Sequence, residues 1–192
     1  MASNGKKKGI SFNSPVILTF SALCFLALIL NIFSGGRSNM YIFSVYRSSF
    51  TDLLTYVRFF GHVLGHADWN HLLGNLMMIL VVGPLLEEKY GSKCILFVIL
   101  ITALVTGLVH FVFSPGVMLL GASGVVFAFI LLASLTSFED GMIPMTFILV
   151  AVLYIGQQVY NGLVITDNIS NLTHIVGGIV GAVCGFALNK KR

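Results

Sequence analysis

The sequence predicts an all-α membrane protein of six transmembrane helices with a long interfacial first outer loop, and three observations carry that expectation. Of 192 residues 57% are hydrophobic and only 9% are charged, against roughly 25% charged in an ordinary soluble domain. The mean hydropathy is +0.95 and 16 residues are Phe, which excludes disorder, since disordered chains are poor in aromatics and rich in charge. The charges also leave five uncharged windows, His not counted: Gly9 to Gly36, Trp69 to Leu86, Cys94 to Phe138, Gly141 to Thr166 and Asn168 to Asn189, of 28, 18, 45, 26 and 22 residues. A span needs about 20 apolar residues, so four windows hold one each and the longest holds two.

In chain order, residues 1–14 form a basic tail carrying Lys6, Lys7 and Lys8. The first helix covers about 15–33. Its apolar run exceeds the roughly 7–15 residues of a signal-peptide core, so it reads as an uncleaved span. Arg37 to Asp68 mixes Tyr41, Phe43, Tyr46, Phe50, Tyr56 and Phe59 with scattered charges, the composition of an interfacial loop that is partly amphipathic helix. The second and third helices cover about 70–86 and 94–113. Ser114-Pro115-Gly116 is a strong turn signal and divides the third helix from the fourth. The fourth, fifth and sixth cover about 122–137, 142–160 and 171–188. One membrane domain thus spans 15–189 and ends in the basic residues 190–192.

An even number of spans puts both termini on one side, and the basic residues choose it. Lys89, Lys93 and the two terminal clusters make eight on that side against Arg37, Arg47 and Arg58 on the other, so both termini are expected in the cytoplasm of a prokaryotic cell. Terminal clusters beside apolar spans orient a chain in the bilayer and imply no nucleic-acid partner. Cys24, Cys94 and Cys184 fall in spans or at a cytoplasmic end and read as packing residues.

Polar side chains inside spans are expensive and are site candidates by default. They are His71, Asn75, His110, Ser123 and His174. His71 and Asn75 are four apart and share a helix face. From His71 to Glu87, from Ser123 to Glu139 and from His174 to Lys190 there are 16 residues each, so all three side chains lie about 24 Å above the cytoplasmic boundary at 1.5 Å per residue. A fourth helix beginning near Ala122 is too short to reach the outer boundary. The preceding loop must dip inward, which lipid tolerates only where the backbone is buried in protein or lines a water-filled cavity. Ser123 then sits at a helix N-terminus, where unpaired N–H groups favour an anion. His174, Gly177, Gly181 and Gly185 form one stripe that lets another helix approach closely, and packing it on the fourth helix brings His174 to Ser123. Serine beside imidazole has the elements of nucleophilic catalysis. No carboxylate lies at this depth to orient the histidine, so the residues support a dyad.

These residues resemble the rhomboid family of intramembrane serine proteases over about Arg58 to Gly181. His62, His66, His71 and Asn75 are similar to the family's spaced histidines and H-x-x-x-N, Glu88-Lys89-Tyr90-Gly91-Ser92 to its E-[RK]-x-G-S turn, Gly121-Ala122-Ser123-Gly124 to its G-x-S-G, and His174 with Gly177 and Gly181 to its H-x-x-G-x-x-x-G. The resemblance implies Ser123 as nucleophile, His174 as general base, and an oxyanion hole of His71, Asn75 and the Ser123 backbone N–H. It names Gly121, Gly124, Phe127, Gly177 and Gly181 as site support. It implies cleavage of single-pass membrane proteins near the outer leaflet with no metal and no organic cofactor. Phe127 stands where many members carry Tyr, Val57-Arg58 where Trp-Arg is common, and Thr173 where Ala is frequent. His62, His66 and His110 read as structural, and Asn168-Ile-Ser170 and Asn171-Leu-Thr173 as capping sequences that match a glycosylation pattern. The outer end of the fifth helix, about Tyr154 to Asn168, is the least lipid-adapted end of any span and the expected gate for a substrate helix. Two other functions compete: an inactive rhomboid-like client-binding protein, which has no need of the Ser123 and His174 pair, and a proton-coupled transporter, which the lack of ionisable groups in the inner half of each span disfavours.

Overall fold

The computed structural model describes residues 11–164 and 168–189, without the side chains of residues 161–170. The tail up to residue 10, the basic residues 190–192, the side chains of Asn168 and Ser170 and the far end of the expected gate lie outside the described residues. Eight helices are described: α1 (Pro15–Phe33), α2 (Arg37–Tyr41), α3 (Leu53–Gly61), α4 (Trp69–Tyr90), α5 (Ser92–Phe113), α6 (Ser123–Ser134), α7 (Met145–Val164) and α8 (Asn168–Asn189). Among the described residues only isolated bridges, Val45 with Leu119 and Glu139 with Met142, have β character. By length and composition α1, α4, α5 and the Asn171–Asn189 part of α8 can cross a membrane. α4 turns an apolar stripe of Leu73, Met77, Leu80, Val81 and Leu85 outward, the pattern of a surface that meets lipid rather than water.

α6 is the hub. It packs on α4, α5, α7 and α8, and Val125, Ala128, Phe129, Leu131 and Leu132 are buried. Its 12 residues rise about 18 Å at 1.5 Å per residue, well short of the roughly 30 Å hydrocarbon core. It stops three residues before the sequence expectation, because Leu135, Thr136 and Phe138 close turns onto Leu132, Ala133 and Leu135 and Asp140 and Gly141 take positive φ of 51° and 78°. Pro144, which cannot continue a helix from its N-terminal side, then leads directly into α7.

The start of α1 is capped from a distant helix. Helix N-termini leave N–H groups without partners; here Val16 and Ile17 donate to the two oxygens of Glu87, each at 3.0 Å, and Ser92 Oγ donates to the same carboxylate at 2.7 Å. Glu87 is buried while Glu88 is exposed, so the acid of this turn that acts is one residue before the one the motif match selects. A Cβ at Gly83 would lie 2.6 Å from Ile17 Cδ1, which is how closely α1 and α4 meet.

Arg37 to Asp68, expected as an interfacial loop that is partly helical, holds two short helices and a buried arginine. Asp52 caps α3 by accepting from Leu54 N–H at 3.0 Å. Arg58 is 2% exposed; its Nε donates to the Tyr41 carbonyl at 2.9 Å, its Nη1 donates to Asp52 at 3.0 Å and to Ser48 Oγ at 3.3 Å, and its guanidinium lies over the Tyr46 ring. With Val57 exposed, Arg58 alone of that pair anchors the segment. His62 ends α3, donating from Nδ1 to the Arg58 carbonyl at 3.1 Å and meeting Thr106 Oγ1 with Nε2. Burial pushes the His62 imidazole down to about 4, so it stays neutral at physiological pH.

Candidate active site

The segment that delivers the candidate nucleophile is held from outside its own helix. Val45 and Leu119 exchange two backbone hydrogen bonds of 2.9 Å, Gly121 N–H donates to the His62 carbonyl at 2.9 Å, and His110 Nε2 donates to the Val117 carbonyl at 2.9 Å. Gly121 has φ of +129°, which favours glycine. A Cβ there would also lie 2.8 Å from both Cε1 and Nε2 of His71. The chain then turns into α6 at Ser123, whose N–H belongs to the unpaired first turn of that helix.

α8 brings His174 to this point by close backbone approach. A Cβ on Gly177 would collide with the Gly124 carbonyl oxygen and one on Gly181 with that of Ala128, so only glycine permits this spacing. Gly124 faces Thr106, where a Cβ would come within 3.3 Å of Cγ2, and the Thr173 carbonyl. His174 Nε2 consequently lies 2.8 Å from Ser123 Oγ. The Phe127 ring stacks on the imidazole, centroids 4.5 Å apart and planes 12° from parallel. Ser123, His71 and His174 are all half-buried, so solvent or substrate can reach them.

His71 and Asn75 sit across from the dyad on α4. The Ala67 N–H points at His71 Nδ1 at 3.5 Å, which leaves the ring proton for Nε2, the atom that lies against Gly121. Asn75 is buried and directs one N–H of its amide to the His71 carbonyl at 3.1 Å. The structure therefore brings together Ser123, His174, His71, Phe127 and the glycines, with Asn75 one turn below. His66 packs its ring edgewise on His71, centroids 5.0 Å apart.

Two side chains that the sequence places only in the expected gate belong to the site. His174 Nδ1 lies 2.9 Å from Gln158 Oε1 on α7, and Gln158 is 7% exposed. One turn earlier, the Tyr154 ring meets Phe127 edge to face at 5.5 Å. The signal for Gln158 was present, since a strongly polar side chain inside an apolar span is a site candidate whether or not it ionises.

Comparison with known proteins places this geometry in context. The Rhomboid domain model matches residues 54–191. Rhomboid protease GlpG of Haemophilus influenzae is 26% identical over 197 residues, covering 97% of each chain. Rhomboid-related protein 2 of Mus musculus is 30% identical over 144 residues, covering 68% of this chain and 47% of the relative. Rhomboid-like protein 11, chloroplastic, of Arabidopsis thaliana is 27% identical over 140 residues, covering 65% and 50%. The chain spans nearly the whole of the bacterial relative and about half the length of the mouse and plant ones.

Proposed function

The chain belongs to the rhomboid family of serine proteases, and we propose that it is an intramembrane endopeptidase cutting single-pass membrane proteins at or near the outer leaflet. The observation that carries the reading is the 2.8 Å contact between Ser123 Oγ and His174 Nε2 at the start of a helix too short to cross the bilayer. In the reaction, Nε2 takes the Ser123 hydroxyl proton as Oγ bonds to the scissile carbonyl carbon, and the carbonyl oxygen becomes an oxyanion. The Ser123 backbone N–H, His71 Nε2–H and the Asn75 amide are the donors for that charge. His174 returns the proton to the leaving amine as the C–N bond breaks. Water then donates a proton to Nε2 and attacks the acyl-serine, releasing the new carboxyl group and restoring the serine. No step calls on a metal or organic cofactor.

α6 and α7 complete six spans with α1, α4, α5 and α8 in this reading, the segment between α1 and α4 lies in the outer interface, and both termini are cytoplasmic in a prokaryotic plasma membrane. Substrate enters beside the outer part of α7. The direct test is incubation of the purified protein in liposomes with single-span substrates, Ser123→Ala serving as control; no cleavage by the unaltered protein across such substrates would sink the reading. Topology has its own check: cysteines introduced at Ser3 and Ser48 should label from opposite faces of intact cells, and labelling of both by an impermeant reagent would reverse the outward-facing site.

Asn75 separates an oxyanion donor from a packing residue. An interhelical hydrogen bond in a membrane protein averages about 0.6 kcal/mol, whereas an oxyanion donor contributes roughly 2.7–4 kcal/mol to the barrier. Asn75→Ala should therefore lower kcat at least about tenfold, equivalent to 1.4 kcal/mol, with little change in thermal midpoint or KM. A loss of stability with normal turnover in the surviving folded fraction would leave the oxyanion to His71 and backbone.

A further inference from the structure

The dyad chemistry leaves unused a buried polar side chain that touches it. A neutral imidazole carries one proton, and catalysis needs that proton on Nδ1, because only a bare Nε2 can accept from Ser123. Stacking on Phe127 fixes the plane of the ring and is indifferent to which nitrogen is protonated. The choice falls to whatever faces Nδ1, and that is Gln158 Oε1 at 2.9 Å. An amide oxygen only accepts, so it selects the Nδ1–H tautomer. Gln158 is 7% exposed, so water has little access to its side of the contact even though the imidazole is half-buried.

The element that carries Gln158 gives the contact a second meaning. Tyr154 and Gln158 are four apart on α7 and so share a face; one supports Phe127 beneath the imidazole and the other binds its Nδ1. These two supports of the base, among the described residues, thus come from the helix beside which substrate enters.

We propose that Gln158 is a positioning residue that keeps the proton of His174 on Nδ1, so that the base is set only while α7 is seated against α8. The proposal rests on the protease reading and adds a form of control to it: a substrate helix that displaces α7 enters an enzyme whose base is not yet aligned, and cleavage waits for α7 to reseat.

The test pairs a spectrum with kinetics. With 15N-labelled histidine, the wild-type protein should show His174 as the Nδ1–H tautomer. Gln158→Leu should give a mixture of tautomers and lower kcat at least about tenfold, since a base held in the wrong tautomer loses up to about 10⁴ in turnover. KM for a membrane substrate should stay within about twofold, as expected when an interaction made only on the way to the transition state is removed. Gln158→Glu, which keeps an oxygen acceptor at the same place, should recover most of kcat. A His174 found as the Nε2–H tautomer in the wild type, or unchanged kcat in folded Gln158→Leu, would overturn the proposal. Should the Leu variant not fold, the wild-type spectrum decides. If instead the wild type cuts nothing, the protease reading fails while the tautomer assignment still stands or falls on the spectrum.

Discussion

Ser123→Ala and His174→Ala are each expected to abolish cleavage while leaving the protein folded and extractable in normal yield. The close approach of α6 and α8 is made by Gly177 and Gly181, so neither loss undoes the bundle, although His174 also stacks on Phe127 and meets Gln158 of α7. The two groups act as a unit, since the serine is a poor nucleophile without a base and the base has nothing to deprotonate without the serine. Each single loss should therefore cost about as much as both together, on the order of 10⁴ or more in kcat, and the double variant should fall no further. Cleavage at the same peptide bond at a comparable rate in either variant would show that the dyad is misassigned. Thermal unfolding of Ser123→Ala in detergent should overlay that of the wild type, whereas His174→Ala, which also gives up the Phe127 stack and the Gln158 hydrogen bond, should stay folded with a somewhat lower midpoint.

The second large effect concerns the stripe that makes the dyad possible. Gly181→Val should unseat α8 from α6 and take both stability and activity with it, although residue 181 lies two turns from His174. The Cβ would meet the Ala128 carbonyl, a backbone group that cannot swing aside as a side chain end can. Overpacking of a close-packed interior typically costs 1–3 kcal/mol and sometimes more, and here the helix axes themselves must part. At about 2–4 °C per kcal/mol for a chain of this size, the thermal midpoint should fall by roughly 5–10 °C. Gly178→Ala is the control, since a Cβ there meets Leu131 at an ordinary 3.5 Å, and it should be neutral or slightly stabilising because alanine favours helix over glycine. A thermal midpoint for Gly181→Val equal to that of Gly178→Ala would mean that the stripe is dispensable.

What could be read from the chain, and what could not, divides along physical lines. Charge spacing reports depth only along unbroken helix: α4 carries the count from His71 to Glu87 and α8 the one upward from its end to His174, whereas the count from Ser123 to Glu139 crosses the turns after Ser134, so the 24 Å height does not hold for Ser123. Glycine spacing reports close approach, so the pairing of α6 with α8 was legible too. In the sequence Gln158 reads as part of the gate and not as a partner of His174, because α7 is reached from Glu139 through a non-helical turn ending at Pro144 and residue counting there does not measure height. The choice between Glu87 and Glu88 depends on the rotation of α4 about its axis. Its buried residues Leu72, Asn75, Ile79 and Gly83 step by three or four, and continuing that stripe lands on Glu87. Tyr154 carried no signal of its own, because an aromatic within an apolar helix is ordinary, and its place under Phe127 follows from tertiary packing alone.

The backbone ties that hold the nucleophile's approach have a consequence for how the family can vary. Val45 with Leu119 and His62 with Gly121 are joined through backbone N–H and C=O groups, which every residue supplies except that proline lacks the N–H. Exposed positions of the outer segment such as Val57 can therefore exchange side chains without altering where Ser123 stands, while the buried Arg58 and the tightly packed Gly61 and Gly65 cannot. The length of the segment is another matter. One residue added or removed between Val45 and His62 would shift one tie relative to the other and drag the start of α6 with it. Tolerance to substitution at exposed positions combined with intolerance to insertion is the evolutionary signature this arrangement should leave, and a comparison of many sequences that counted only identities would mistake the segment for an unconstrained loop.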